Sequence, residues 1–164
     1  MLPTIRSSIL ACAVLGLAPW ALANNAATAV LAAPETAALK GAVPSAFSRL
    51  RVWGFDVYDA RLWTQTGFTV QNYADHSFVL ELAYLRNFEG SAIAKRSLDE
   101  MRKLSAISPQ QESTWLKAMS EIFPDVSKGD RLVGVYKPNV GAEFWSNQRR
   151  LGVVQDPTFA KLFF

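Results

Sequence analysis

Residues 47–63, with the sequence FSRLRVWGFDVYDARLW, contain the pattern that decides the fold. Aromatic and β-branched residues, which favour strands, lie on both sides of Gly54. The stretch therefore predicts either a tight hairpin of Phe47–Trp53 and Phe55–Trp63 or one long strand bent at the glycine.

Further strands follow on the C-terminal side. Residues 67–74 predict a loop or a weak strand. The alternation in Phe78–Tyr84 predicts a strand with one apolar face, made by Phe78, Leu80, Leu82 and Tyr84. The remaining strands are predicted at Asp130–Lys137, Ala142–Ser146 and Arg149–Val154, with the last two joined across Asn147 and Gln148.

Two helices are predicted between these groups of strands. Ser91 is expected to cap the first, whose outer face pairs Lys95 with Asp99 and Arg96 with Glu100. Its apolar residues recur at helical spacing, at Ala94, Leu98, Met101 and Leu104. The second is predicted to begin at Pro109, with Ser108 as its N-cap and Gln111 completing a capping box. It is expected to end at Pro124 and to bury one face, made by Trp115, Met119, Ile122 and Phe123.

A third helix is predicted to start at Asp156-Pro157 and to reach Phe163-Phe164, where a packing helix is expected to continue in a longer chain. Strands, a helix pair, strands and a helix follow one another in this order. The sequence therefore predicts an α+β fold, an antiparallel β-sheet with helices packed on one face.

The N-terminus predicts export. Arg6 precedes an apolar run, Ile9–Leu22, and the small residues of Ala21–Ala23 match a cleavage site, so residues 1–23 are interpreted as a signal peptide. Cys12 lies too early in the run for the alternative of lipid attachment. Residues 24–45 are expected to be a flexible Ala-rich lead-in, and 46–164 one domain of a periplasmic or secreted protein, with no membrane span after cleavage.

Composition argues against several classes of function. The formal net charge is +3, and basic residues are interspersed with acidic ones, so nucleic-acid binding is not expected. Cys12 is the only cysteine and leaves with the signal peptide. His76, the only histidine, lies in a polar turn, so no metal site and no histidine-based triad is predicted, and no cofactor is expected. The oligomeric state is not predicted.

The candidate binding residues lie on the first strands. Arg49 and Arg51 share one strand face, which is either solvated or directs one arginine into an apolar cavity, where it would hold an anionic or carbonyl head group. Tyr58 and Tyr84 add hydroxyl donors to such a site. Arg86 is a weaker candidate at the end of its strand.

Several segments resemble chalcone isomerase-like proteins, especially an exported bacterial branch. The resemblance spans roughly residues 47–164, within which its motifs are Phe55–Leu62, Leu82–Arg86 with Glu89-Gly90, Phe123–Asp130 with Gly134–Tyr136, and Leu151-Gly152 through Phe163-Phe164. It implies an open-faced β-sandwich with an apolar cleft between sheet and helices. In this family, some members are isomerases that close a flavanone ring, and others bind fatty acids through an arginine.

Carried over by the resemblance, the family arginine corresponds to Arg49, with Arg51 as competitor. The catalytic threonine, tyrosine and asparagine fall near Trp53, Ile93 and Glu100, which cannot replace them. A non-catalytic protein that binds a small apolar or acidic ligand, such as a fatty acid, is therefore the first hypothesis. The alternatives are an intramolecular lyase acting on a conjugated carbonyl compound, with Arg49 as electrophile and a tyrosine as proton donor, and a structural or interaction protein of the envelope.

Overall fold

The computed structural model describes residues 39–164. Within them, six strands form one antiparallel sheet in chain order. The strands are β1 (Val43–Val52), β2 (Phe55–Thr64), β3 (Phe78–Tyr84), β4 (Arg131–Lys137), β5 (Gly141–Ser146) and β6 (Arg149–Val154). The helices are α1 (Gly90–Leu104), α2 (Pro109–Ile122) and α3 (Pro157–Phe163). The predicted α+β fold is confirmed.

Two predicted boundaries change. A 3-10 helix, Val70–Asp75, lies where a loop or weak strand was expected. The predicted signal peptide and residues 24–38 of the lead-in lie outside the described residues, whereas the last three residues of the lead-in, 43–45, belong to β1.

The first two strands form a tight hairpin and not one bent strand. Its two turn residues, Trp53 and Gly54, both have positive φ, at 49° and 82°. This is the backbone that a two-residue turn needs to match the twist of its strands. The second predicted hairpin is also confirmed, since Asn147 and Gln148 have φ of 46° and 73°.

One face of the sheet packs against all three helices. The core between them contains side chains from β3, β4, β5 and the helices, among them Phe78, Tyr136, Phe144, Leu98, Trp115, Met119 and Phe159. Gly134 of β4 lies under the ring of Phe164, and a Cβ at this position would come within 2.8 Å of that ring. The absence of a side chain therefore allows the end of α3 to approach the sheet.

The opposite face of the sheet combines buried valines with paired charges. Val79, Val133 and Val135 are each at most 1% exposed. Beside them Glu143 is buried and accepts bonds from Lys137 at 2.5 Å and Arg150 at 2.6 Å. Carboxylates on this face are thus neutralised by neighbouring strands, which offsets the cost of burying them.

The helix starts differ in how well they were predicted. The capping box of α2 is confirmed, with Ser108 and Gln111 bonded to each other's backbone N–H groups. In α1, Ser91 is not the cap: the N-cap is Glu89, which makes no side-chain capping bond. The N–H of Gly90 instead donates to Asp125 Oδ1 at 2.9 Å. The start of α1 is therefore held by the segment after α2 and not by its own sequence.

Candidate functional site

A cavity of about 490 Å³ opens where the β1–β2 hairpin and the end of β3 meet the first turns of α1. Its volume lies within the range of about 300–1,000 Å³ that is typical of small-molecule sites. Most of its lining is apolar, and the lining residues are Leu50, Val52, Trp53, Phe55, Val57, Tyr58, Tyr84, Arg86, Asn87, Phe88, Ala92, Ile93 and Arg96.

The shape of the cavity depends on a bulge in β2. Leu50 pairs with Tyr58, but the next residue of β1, Arg51, pairs with Asp56, which leaves Val57 without a partner on β1. The extra residue reverses the alternation of β2. As a result Tyr58 and Phe55, which are three residues apart, both line the cavity.

Burial changes along the cavity. Tyr84 and Tyr58 are 4% and 6% exposed, whereas Phe55 and Trp53 at the hairpin tip are 60% and 94% exposed. The cavity therefore extends from a buried end with two tyrosines to an open mouth beside the hairpin.

Tyr58 and Tyr84, both candidate residues from the sequence, lie side by side in the cavity. They are direct partners across β2 and β3, and their rings meet edge to face with centroids 6.0 Å apart. Burial raises the pKa of Tyr58 to about 12, and it raises the pKa of Tyr84 still further. Both hydroxyls thus stay protonated at neutral pH and can donate hydrogen bonds.

Arg49 and Arg51 do not line the cavity, which corrects the expectation that one of them enters it. Arg49 donates to Asp59 at 2.6 and 2.9 Å and to Asp56 at 3.2 Å. Arg51 donates to Asp56 at 2.5 Å. Leu50 and Val52, on the other face of β1, line the cavity instead. The physical reason is that the acidic partners on β2 hold both guanidinium groups on the face of the sheet away from the helices.

Arg96 of α1 is the arginine that lines the cavity near the tyrosines. Its positive charge opposes the rise in the pKa of Tyr58, which places the guanidinium within electrostatic reach of that hydroxyl. Arg96 also forms an ion pair with Glu100 one turn later. Glu100 is 3% exposed, so this pair does not lie on a solvated outer face as predicted.

Arg96 shares its carboxylate partner with a second cation. Glu100 is shared with Lys103, whose Nζ lies 2.8 Å from the carboxylate. Two cations therefore flank one buried carboxylate, and the Tyr58 hydroxyl feels both the positive charge of Arg96 and the negative charge of Glu100.

Arg86, the weaker candidate from the sequence, follows the end of β3 and lies at the mouth of the cavity. Its guanidinium lies over the ring of Phe55, 4.8 Å from the centroid, as in a cation–π contact. No carboxylate of residues 39–164 lies within ion-pair distance of it.

Sequence reasoning missed Arg96 because it interpreted the residue only as half of an i, i+4 pair. A signal was present: Ala92, Ile93 and Arg96 lie on one helical face, next to the stripe that contains Ala94 and Leu98. Such a position, at the border of an apolar face, is where a charged side chain can reach a cleft.

Two further properties concern residues 39–164 alone. No group of three or more His, Cys, Asp or Glu side chains in this range could hold a metal ion. None of its helices is long and apolar enough to cross a membrane.

Comparison with known proteins identifies the fold. No family model matches the chain, and no curated protein matches its sequence. Among solved structures 35 chains match, including a crystal structure of a fatty-acid binding protein of Arabidopsis thaliana. The TM-score is 0.57 at 8% sequence identity, over 75% of this chain and 77% of that one. The chain therefore has the chalcone isomerase-like fold, with its sheet open on one side and helices on the other.

Proposed function

We propose that the chain is an exported chalcone isomerase-like protein that binds a fatty acid, or a similar small amphiphile with an acidic head group, in the cavity beneath α1. One observation carries the proposal: a mostly apolar cavity of about 490 Å³ is lined by Tyr58, Tyr84 and Arg96, with Arg86 and Asn87 as its other polar residues. The fold is shared with a protein whose name describes it as fatty-acid binding, which supports the same class of ligand.

The cavity chemistry explains this choice. The apolar lining favours an alkyl chain by about 25 cal/mol for each square ångström removed from water. The carboxylate would accept hydrogen bonds from Arg96 and from the protonated hydroxyl of Tyr58. In this proposal Arg96 holds the acidic head group, the role predicted for Arg49 or Arg51. Tyr58 and Tyr84 are still proposed as hydroxyl donors.

The test starts from protein purified without delipidation. Native mass spectrometry of the protein, followed by solvent extraction, should show a bound lipid acid that delipidation removes. Added palmitate should then restore the bound mass. A protein that carries no lipid and takes up no palmitate contradicts the proposal. Export is tested separately, by N-terminal sequencing of the protein from the periplasm or the medium, which should begin near Asn24.

An isomerase is the second candidate, because Tyr58 and Arg96 line the same cavity, with the guanidinium charge in electrostatic reach of the hydroxyl. In this alternative Arg96, and not Arg49, polarises a carbonyl oxygen while Tyr58 donates a proton. Chalcones and other enones should then lose absorbance in the presence of the protein, and Tyr58→Phe should abolish the loss. Absorbance that stays constant with the wild type rejects this candidate. The cavity counts against the third hypothesis, an envelope scaffold with a filled core.

A further inference from the structure

Trp53 lies in the turn between β1 and β2, where the rest of residues 39–164 leaves its side chain almost unpacked. Its side chain is 94% exposed, and its φ of 49° is a backbone conformation that bulky residues rarely adopt. Asparagine or glycine would suit this turn position better. An exposed indole at a strained position therefore points to a contact outside residues 39–164.

The residues on either side of the turn are also apolar, and one of them is exposed. Val52 and Phe55, on either side of the turn, line the cavity, and Phe55 is 60% exposed. The apolar hairpin tip, defined as residues 52–55, is therefore continuous with the cavity mouth. Arg86, lying over the ring of Phe55, adds a cation at the edge of the tip.

The charges beside the tip do not cancel. Arg49 and Arg51 are balanced by Asp56 and Asp59. Arg86 has no such partner among residues 39–164 and is exposed. The tip thus combines two exposed aromatic rings with one unneutralised cation.

We infer that the apolar hairpin tip inserts into the interfacial region of a phospholipid bilayer with anionic head groups. Tryptophan is enriched at that depth, and arginine beside it meets lipid phosphates. Docking in this way opens the cavity mouth onto the bilayer, so that an amphiphile passes between membrane and cavity without crossing water. The inference goes beyond the proposed function and is tested without any fatty acid.

The experiment measures binding of the exported chain, which starts at Asn24, to vesicles of phosphatidylcholine with about 30% phosphatidylglycerol, whose negative head groups attract basic residues near the surface. The test variant is Trp53→Asn, which places a preferred residue in the turn and keeps the hairpin. The matched control is Val140→Asn, because Val140 is a 54% exposed apolar residue in the β4–β5 turn, at the opposite end of the sheet. All proteins begin at Asn24, as the exported chain of the proposed function does, so the apolar run Ile9–Leu22 and Trp20 make no contribution.

Trp53→Asn should weaken vesicle binding at least about tenfold, and Val140→Asn by less than about twofold. Lipids brominated near the head group should quench wild-type tryptophan fluorescence but not that of Trp53→Asn. Arg86→Gln should weaken binding to phosphatidylglycerol vesicles and leave pure phosphatidylcholine unaffected. Equal binding by wild type and Trp53→Asn overturns the inference. It is also overturned if sedimentation shows a dimer that Trp53→Asn dissociates, because the tip would then join two copies of the chain.

Discussion

Tyr58 and Tyr84 lie directly opposite each other on β2 and β3, with their ring planes at 72° and both side chains buried. The pair defines the closed end of the cavity, because lining residues toward the hairpin tip are progressively more exposed. Edge-to-face packing stabilises such a pair by about 0.5–1.5 kcal/mol beyond its buried area. The same contacts that complete the local core therefore hold two hydroxyl donors in place for a ligand.

The raised pKa of Tyr58 predicts a loss of stability at high pH. The unfolded chain ionises this tyrosine near pH 10, whereas the folded chain does so only near 12. Below pH 10 the ionisation of Tyr58 therefore costs no stability. As the pH rises toward 12, it lowers the free energy of unfolding by about 2–3 kcal/mol. Urea unfolding between pH 9 and 12 should show a smaller fall for Tyr58→Phe than for the wild type. An identical fall would mean that the hydroxyl is not buried.

Arg96 is predicted to govern affinity for acidic ligands. Arg96→Gln should raise the dissociation constant of palmitate roughly tenfold or more, because a charge-assisted hydrogen bond contributes about 1.5–3 kcal/mol. Arg49→Gln is the matched control, since Arg49 pairs with Asp59 outside the cavity. Fluorescent fatty-acid displacement measures both. If Arg49→Gln is the variant that weakens binding, the arginine assignment made from the structure is wrong.

Gly90 is predicted to be irreplaceable at the start of α1. A Cβ there would lie 2.1 Å from the carbonyl oxygen of Phe123, which is backbone and has no freedom to move away. Gly90→Ala should lower the free energy of unfolding by about 3 kcal/mol or more, as large steric conflicts do. Ser91→Ala, the neighbouring control, should change it by less than about 0.5 kcal/mol, because Ser91 is exposed and is not the cap. Equal urea midpoints for the two variants would contradict this account.

Asp156 joins α3 to α2. One carboxylate oxygen accepts the N–H groups of Thr158 and Phe159, and the other accepts the indole N–H of buried Trp115 at 2.8 Å. Asp156→Ala should cost about 2–4 kcal/mol, from a lost cap and an unpaired buried donor. Asp156→Asn keeps the capping oxygen and should cost less. Chemical denaturation measures the free energy of unfolding of both variants. If Asp156→Asn leaves it unchanged, Asp156 acts only as a cap and its bond to Trp115 contributes nothing.

Much of the fold follows from local patterns. The capping box at Ser108, the cap at Asp156 and the Asn147–Gln148 turn were predicted because each depends on residues a few positions apart. The bulge at Val57 was not predictable, since nothing in an alternating strand marks the residue that will lose its partner. The bulge is nevertheless what turns Phe55 toward the cavity.

The site was predicted in part. Alternation correctly separated Arg49 and Arg51 from Leu50 and Val52, but it left open whether the arginine face meets solvent or directs one arginine into the cavity. The acidic partners that hold these arginines, Asp56 and Asp59, lie on the next strand, and their reach depends on the hairpin register. For Arg96, the decisive fact is the position of α1 over the end of the sheet, which depends on tertiary packing and not on helical spacing.

The most direct test of ligand binding fills the cavity from its exposed helical wall. Ala92 lines the cavity yet is exposed, so Ala92→Trp should block the mouth without disturbing the core. Ser120→Trp, at an exposed position of α2 outside the cavity, controls for an added indole. In calorimetric titration of delipidated protein with palmitate, wild type and Ser120→Trp should bind alike, and Ala92→Trp should bind at least about tenfold more weakly. Undiminished binding by Ala92→Trp would contradict the account.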